Sequence, residues 1–151
     1  MTEIQKIIQL FEALQQGDCW IGLNIQEAVA GVDAKTATQK INPEGNSIWQ
    51  LVNHLIYWRK TVMIRLQGMN ALPPMPDFYQ PDDTGDTSWQ TTLRHFEDVF
   101  MELQKTILAF DETRLGFDSP RKGQTYYQLL MGCLQHDAYH MGQMVMLKKG
   151  R

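Results

Sequence analysis

The segment "LQHDAYHMGQ", residues 134–143, sets His136 and His140 four residues apart in a chain that has only four histidines. On an α-helix, residues i and i+4 lie about 40° apart in rotation and about 6 Å apart along the axis, so both imidazoles can turn toward one ion. Neutral imidazole is a preferred ligand for zinc, nickel, copper and iron. The helical stripe through the segment reads Leu129, Cys133, His136, His140, Met144 and Leu147, which puts the two rings in line with core residues. A buried imidazole must have its nitrogens hydrogen-bonded or bear a desolvation cost, and two neighbours must do so twice. A metal ion meets that demand in one step. Hydrogen bonds within the core meet it too, and spacing alone does not choose between them.

His54, in "LVNHLIYWR", sits one turn from Leu51 and Trp58 on the apolar side of an earlier periodic segment. Three histidines from two packed helices form the pattern of an open metal site, in which remaining positions are left to water or substrate. Taken alone, His54 reads equally as a core-edge histidine bonded to a backbone carbonyl. His95 lies among Thr92, Val99 and Glu102, with Asp98 close by, and reads as a surface residue. Cys133 is about 10 Å from residue 140 along a helix axis, too far to share an ion held between them, and reads as a small core residue. The zincin motif H-E-x-x-H needs a glutamate as general base; here Asp137 stands in that place, so the match fails. Asp137 remains either a group that orients a ligand or water, or a solvated carboxylate.

The elements that must carry these residues are helical. "EIQKIIQLFEAL" lines up Ile4, Ile7, Ile8, Phe11 and Leu14, with Gly17 as a stop. "SIWQLVNHLIYWRKTVMIRLQG" carries Leu51, Leu55, Trp58 and Val62 and ends at Gly68. "SWQTTLRHFEDVFMELQKTILAF" alternates spacings of three and four through Leu93, Phe96, Phe100, Leu103, Ile107 and Phe110. "TYYQLLMGCLQHDAYHMGQMVMLKK" closes on Lys148 and Lys149, which suit the negative end of a helix dipole. Ser47 with Gln50, Thr87 with Gln90, and Thr125 with Gln128 fit the capping box and predict where the three long helices start. Residues 18–45 admit a further helix capped by Asp18, followed by a turn at "NPEGN". Residues 69–87 hold four of the six prolines and cannot be helical; residues 111–124 form another connection. With no strand pattern, repeat or linker, the expectation is one all-α domain over 1–151, a four-helix bundle with a long crossover between its second and third main helices.

Composition agrees with this. Apolar residues at 43% and charged residues at 21% argue against disorder. A net charge of −3 gives no basic footprint for nucleic acid. No apolar run is long enough to span a membrane, and the N-terminus lacks the basic flank and apolar run of a secretory signal, so a cytoplasmic location is expected. There Cys19 and Cys133 are expected as free thiols.

"NSIWQLVNHLIYWR" and "LLMGCLQHDAYHMGQMVMLKK" together resemble the two signature segments of the DinB/YfiT-like superfamily, and "CWIGLNIQEAVAGV" is similar to its early helix. The resemblance implies a four-helix bundle with a long crossover, commonly homodimeric. It also implies a divalent metal, nickel or zinc, held by His54, His136 and His140. Activity is implied only by class: transferases and isomerases that use low-molecular-weight thiols such as bacillithiol or mycothiol, or metal-dependent hydrolases. The expectation is a metal-dependent enzyme with a small-molecule substrate, most concretely an S-transferase. A non-catalytic, stress-related bundle stiffened by its metal is the alternative, and a metal-free bundle with hydrogen-bonded histidines is the third reading.

Overall fold

A computed structural model describes residues 1–150; Arg151, the last residue of the expected 1–151 domain, lies outside them. The described residues form six α-helices and no strand: α1 (Glu3–Gln16), α2 (Ile25–Val29), α3 (Ala34–Thr38), α4 (Ile48–Leu66), α5 (Asp86–Leu108) and α6 (Tyr126–Lys149). A single 3-10 turn, Glu112–Arg114, interrupts the connection from α5 to α6. The long helices α1, α4, α5 and α6 make the bundle, as the periodicity predicts. None of the described helices is long and apolar enough to cross a membrane.

Sequence chemistry explains the boundaries. Ser47 and Thr125 each accept a backbone N–H from the residue three on, while Gln50 and Gln128 reach back to the cap. Thr2 with Gln5 and Asn24 with Glu27 do the same for α1 and α2. Thr87 does not cap α5. That helix begins two residues earlier than a Thr87 cap would set, at Asp86 behind Gly85, and has no side-chain cap. The Asp86 carboxylate instead accepts the backbone N–H of Ala34, a tertiary bond that draws the negative group to the helix start, where the dipole favours it. Nor does Asp18 cap a helix. The chain turns through Gly22 at φ +84°, and Asn24, whose side chain also donates to the Gly17 carbonyl, opens the short α2 instead.

Helix direction follows from a few contacts. Trp49, near the start of α4, packs on Trp89, near the start of α5, with ring centroids 5.1 Å apart. Both indole N–H groups are satisfied, by Thr92 Oγ1 at 3.0 Å and by the Val32 carbonyl at 2.7 Å. The two helix starts therefore meet, α4 and α5 run parallel, and the chain must return the length of α4, roughly 28 Å. The proline-rich crossover over 67–85 makes that return. It lies back along α4, where Asn53 donates to the Tyr79 carbonyl at 2.7 Å and Ser47 pairs with Gln80. One apolar cluster draws on all six helices. Within it α4 is buried nearly all round, between α5, α6 and α3, whereas α5 buries the single face built on Phe96, Phe100, Leu103 and Ile107.

Candidate metal centre

His54 on α4 and His136 and His140 on α6 meet at the seam between the two helices. Their candidate ligand atoms all lie within 4.8 Å of one another. His136 Nε2 is 3.0 Å from His54 Nε2 and 3.1 Å from His140 Nε2. His54 and His140 are buried, and the His136 side chain is 28% exposed, so it forms the solvent side of the cluster.

The other ring nitrogens decide what this cluster can bind. His54 Nδ1 stands 2.6 Å from Asp77 Oδ1, and His140 Nδ1 stands 2.6 Å from Gln143 Oε1. A carboxylate and an amide oxygen only accept, so both Nδ1 atoms carry protons and both Nε2 atoms present lone pairs toward His136. One proton on His136 Nε2 could serve only one of them. A cation serves all three, and tetrahedral zinc with nitrogen ligands at 2.0–2.1 Å needs N···N separations of about 3.3 Å. The donor set therefore fits a divalent metal. Burial lowers the pKa of His54 and of His140 from the ordinary histidine value, outweighing the hydrogen bonds to Asp77 and Gln143 that act in the other direction. Both rings are thus held in the neutral, ligating form. Among the described residues no fourth histidine, cysteine or acid joins the group.

The crossover builds one wall. Asp77 Oδ1 also accepts the backbone N–H of Phe78 at 2.8 Å. Phe78 adopts φ +52°, a left-handed conformation that costs a non-glycine residue about 1–2 kcal/mol. Its ring lies stacked on His54, centroids 3.8 Å apart and planes 11° from parallel. Trp58 meets the His136 ring edge-on and Tyr139 meets His140. Tyr139 and Gln143, which both contact His140, also line an open groove of about 730 Å³ with Ile41, Leu51, Asn46 and Met146 among others. No charged side chain stands in its walls, and none of the three histidines lines it.

The chain matches the DinB superfamily over residues 24–144. The chain belongs to the DinB superfamily. The match takes in α2 to α5 and α6 as far as residue 144, and so all three histidines. A comparison with curated proteins finds no match, so the activity of this DinB-superfamily bundle must be argued from its own site.

The remaining residues singled out in the sequence fall as follows. His95 is exposed on α5. Cys133 is buried and outside the histidine group, and burial together with the Asp137 charge pushes its thiol pKa well up; both cysteines are free. Asp137 is not a solvated carboxylate: it is fully buried and paired with Arg59, which donates to Asp137 Oδ2 through Nε at 3.1 Å and Nη2 at 3.0 Å. The signal for this burial is a second stripe on α6, Leu130, Cys133, Asp137, Met141 and Met144, as regular as the first. Asp77, Phe78 and Gln143 were not legible as site residues. Gln143, three residues after His140, is the one whose spacing permits the contact.

Proposed function

We propose that His54, His136 and His140 hold one divalent metal ion, zinc or nickel, and that the protein is a metal-dependent enzyme acting on a small molecule, most concretely a transferase that uses a low-molecular-weight thiol. The observation that carries this is the convergence of the three Nε2 atoms while the opposite nitrogens of His54 and His140 are bonded elsewhere. When bound, such an ion supplies a Lewis acid that lowers the pKa of a thiol or water toward neutrality. The three-ligand set favours chemistry over a purely structural role, because structural sites are closed by four protein ligands. Asp77 and Gln143 fix the tautomer and direction of their histidines. Phe78 and Trp58 shield the cluster from bulk water, and the uncharged groove lined by Tyr139 and Gln143 takes a neutral, mostly apolar part of the substrate. A hydrolase reading uses the same residues with water in place of the thiol. The unit in solution is proposed to be a homodimer.

The test is metal content followed by turnover. Protein produced with zinc and nickel available should carry about one divalent ion per chain, and His140→Ala should lose most of it. The loaded protein should then consume a thiol in the presence of an electrophilic acceptor. Absence of metal from the wild-type protein defeats the proposal. Metal without turnover across a panel of thiols, acceptors and ester or amide substrates leaves the non-catalytic, metal-stiffened bundle as the correct reading.

A further inference from the structure

His54 and His140 each have an acceptor for the nitrogen that faces away from the cluster, and His136 has none. Its Nδ1 is buried without a hydrogen-bond partner. The next residue supplies a second buried orphan: Asp137 Oδ1 has no partner either, and it lies 4.0 Å from His136 Nδ1. Arg59 engages only the other oxygen, Oδ2, in both of its bonds. Two polar atoms left without partners this close together in a packed interior are costly to the fold.

We infer that Asp137 is the positioning residue for His136, accepting the Nδ1 proton on Oδ1 and so fixing the tautomer that leaves Nε2 free for the metal. The inference rests on the metal reading of the histidine cluster. It follows from which tautomer the surroundings tolerate. With the proton on Nε2, the bare Nδ1 lone pair would face a carboxylate oxygen across a gap sealed from water. With the proton on Nδ1, the proton faces the carboxylate and, with a metal bound, the Nε2 lone pair is left for the ion; the 4.0 Å separation shortens to a hydrogen bond in that state. The carboxylate is held in its place by a cation that is itself well housed. Arg59 is 1% exposed, its guanidinium lies 4.7 Å from the Phe96 centroid and 5.5 Å from that of Phe100, and its Nη2 also donates to Gln15 Oε1 at 2.7 Å. Each histidine then has an acceptor from a different source: the crossover for His54, the following turn of α6 for His140, and the α1–α4–α6 core for His136. Arg59 Nη1 and Gln15 Nε2 are buried donors without partners and are the rivals for Asp137 Oδ1.

Two measurements decide between them. In zinc-loaded, 15N-histidine-labelled wild-type protein the His136 Nδ1–H should give a downfield, slowly exchanging proton signal. In Asp137→Asn that signal should move upfield or exchange away, while those of His54 and His140 stay. Zinc affinity, from competition with a chromogenic chelator, should fall by about 10–100-fold in that variant. Should Asp137→Asn fail to fold, the double variant Arg59→Met/Asp137→Leu removes both charges together and should show the same loss of zinc affinity. A His136 Nδ1 proton signal unchanged in Asp137→Asn, or unchanged zinc affinity in a folded variant, overturns the role of Asp137 and leaves the metal site standing. A wild-type protein that binds no zinc overturns the metal reading and the positioning role together.

Discussion

Two polar centres lie side by side on the α4–α6 seam, and they are finished to different degrees. At Arg59, Asp137 and Gln15 a full charge pair is buried, and the cation has two acceptors and two aromatic rings around it. At His54, His136 and His140 three imidazoles are gathered with nitrogens 3.0 and 3.1 Å apart, and a single proton on His136 Nε2 could take only one of the two lone pairs aimed at it. The first centre supplies its own counter-charge. The second is the one proposed to be completed by a metal ion. Both are polar intrusions into the same apolar cluster, so burial alone does not separate a structural centre from a functional one. What separates them is where the opposite charge comes from. Arg59 and Asp137 neutralise each other even though Asp137 Oδ1, Arg59 Nη1 and Gln15 Nε2 lack partners, whereas the three imidazoles have no opposite charge among them.

That contrast can be broken most forcefully at the ion pair. Arg59→Met leaves Asp137 charged and unpaired in the core and should lower the unfolding free energy of the metal-free protein by about 3–5 kcal/mol in urea titration. The double variant Arg59→Met/Asp137→Leu should recover most of that loss, since exchanging a buried pair for apolar residues is often close to neutral. If the single variant is as stable as the wild type, the pair is not the closed centre described here. Asp77→Ala acts on the other side of the comparison. It removes the acceptor of His54 Nδ1 and should weaken zinc binding by about 10–100-fold, read by chelator competition, with much less effect on urea stability. A large stability loss with unchanged zinc affinity would make Asp77 a tether for the crossover and nothing more. The smallest effect concerns Cys133, about one turn before His136 and Asp137 on α6. Its buried, raised-pKa thiol should stay unmodified by a thiol reagent in the native protein while the half-buried Cys19 reacts. Rapid labelling of Cys133 that also expels metal would bring sulfur into the site.

The histidine centre was legible in the sequence because its parts obey local rules. The spacing of His136 and His140 is a helical property, and the stripe through Leu129, Cys133 and Met144 gives its direction. His54 sits beside Leu51 and Leu55, on a helix whose start is marked by Ser47 and Gln50. The ion pair was not legible. Charged residues are exposed by default, and an acid beside a metal-type histidine invites a role at the site before a role in the core. Its partner Arg59 is 78 residues away, and no local pattern joins them. Asp77 was hidden in the same way, in a proline-rich connection whose path depends on α4 and α5 running parallel. Thr87 shows a local rule losing to a tertiary one: the capping-box pattern is present, yet the Asp86 bond to Ala34 sets where the helix begins.

The central claim is that three imidazoles, and no sulfur, hold one metal ion at this seam. X-ray absorption on zinc-loaded protein reads that directly. The account predicts a first shell of nitrogen or oxygen near 2.0–2.1 Å, with the multiple-scattering signature of about three imidazoles that falls to about two in His54→Ala. A sulfur shell near 2.3 Å, or an imidazole signature unchanged in His54→Ala, would contradict it.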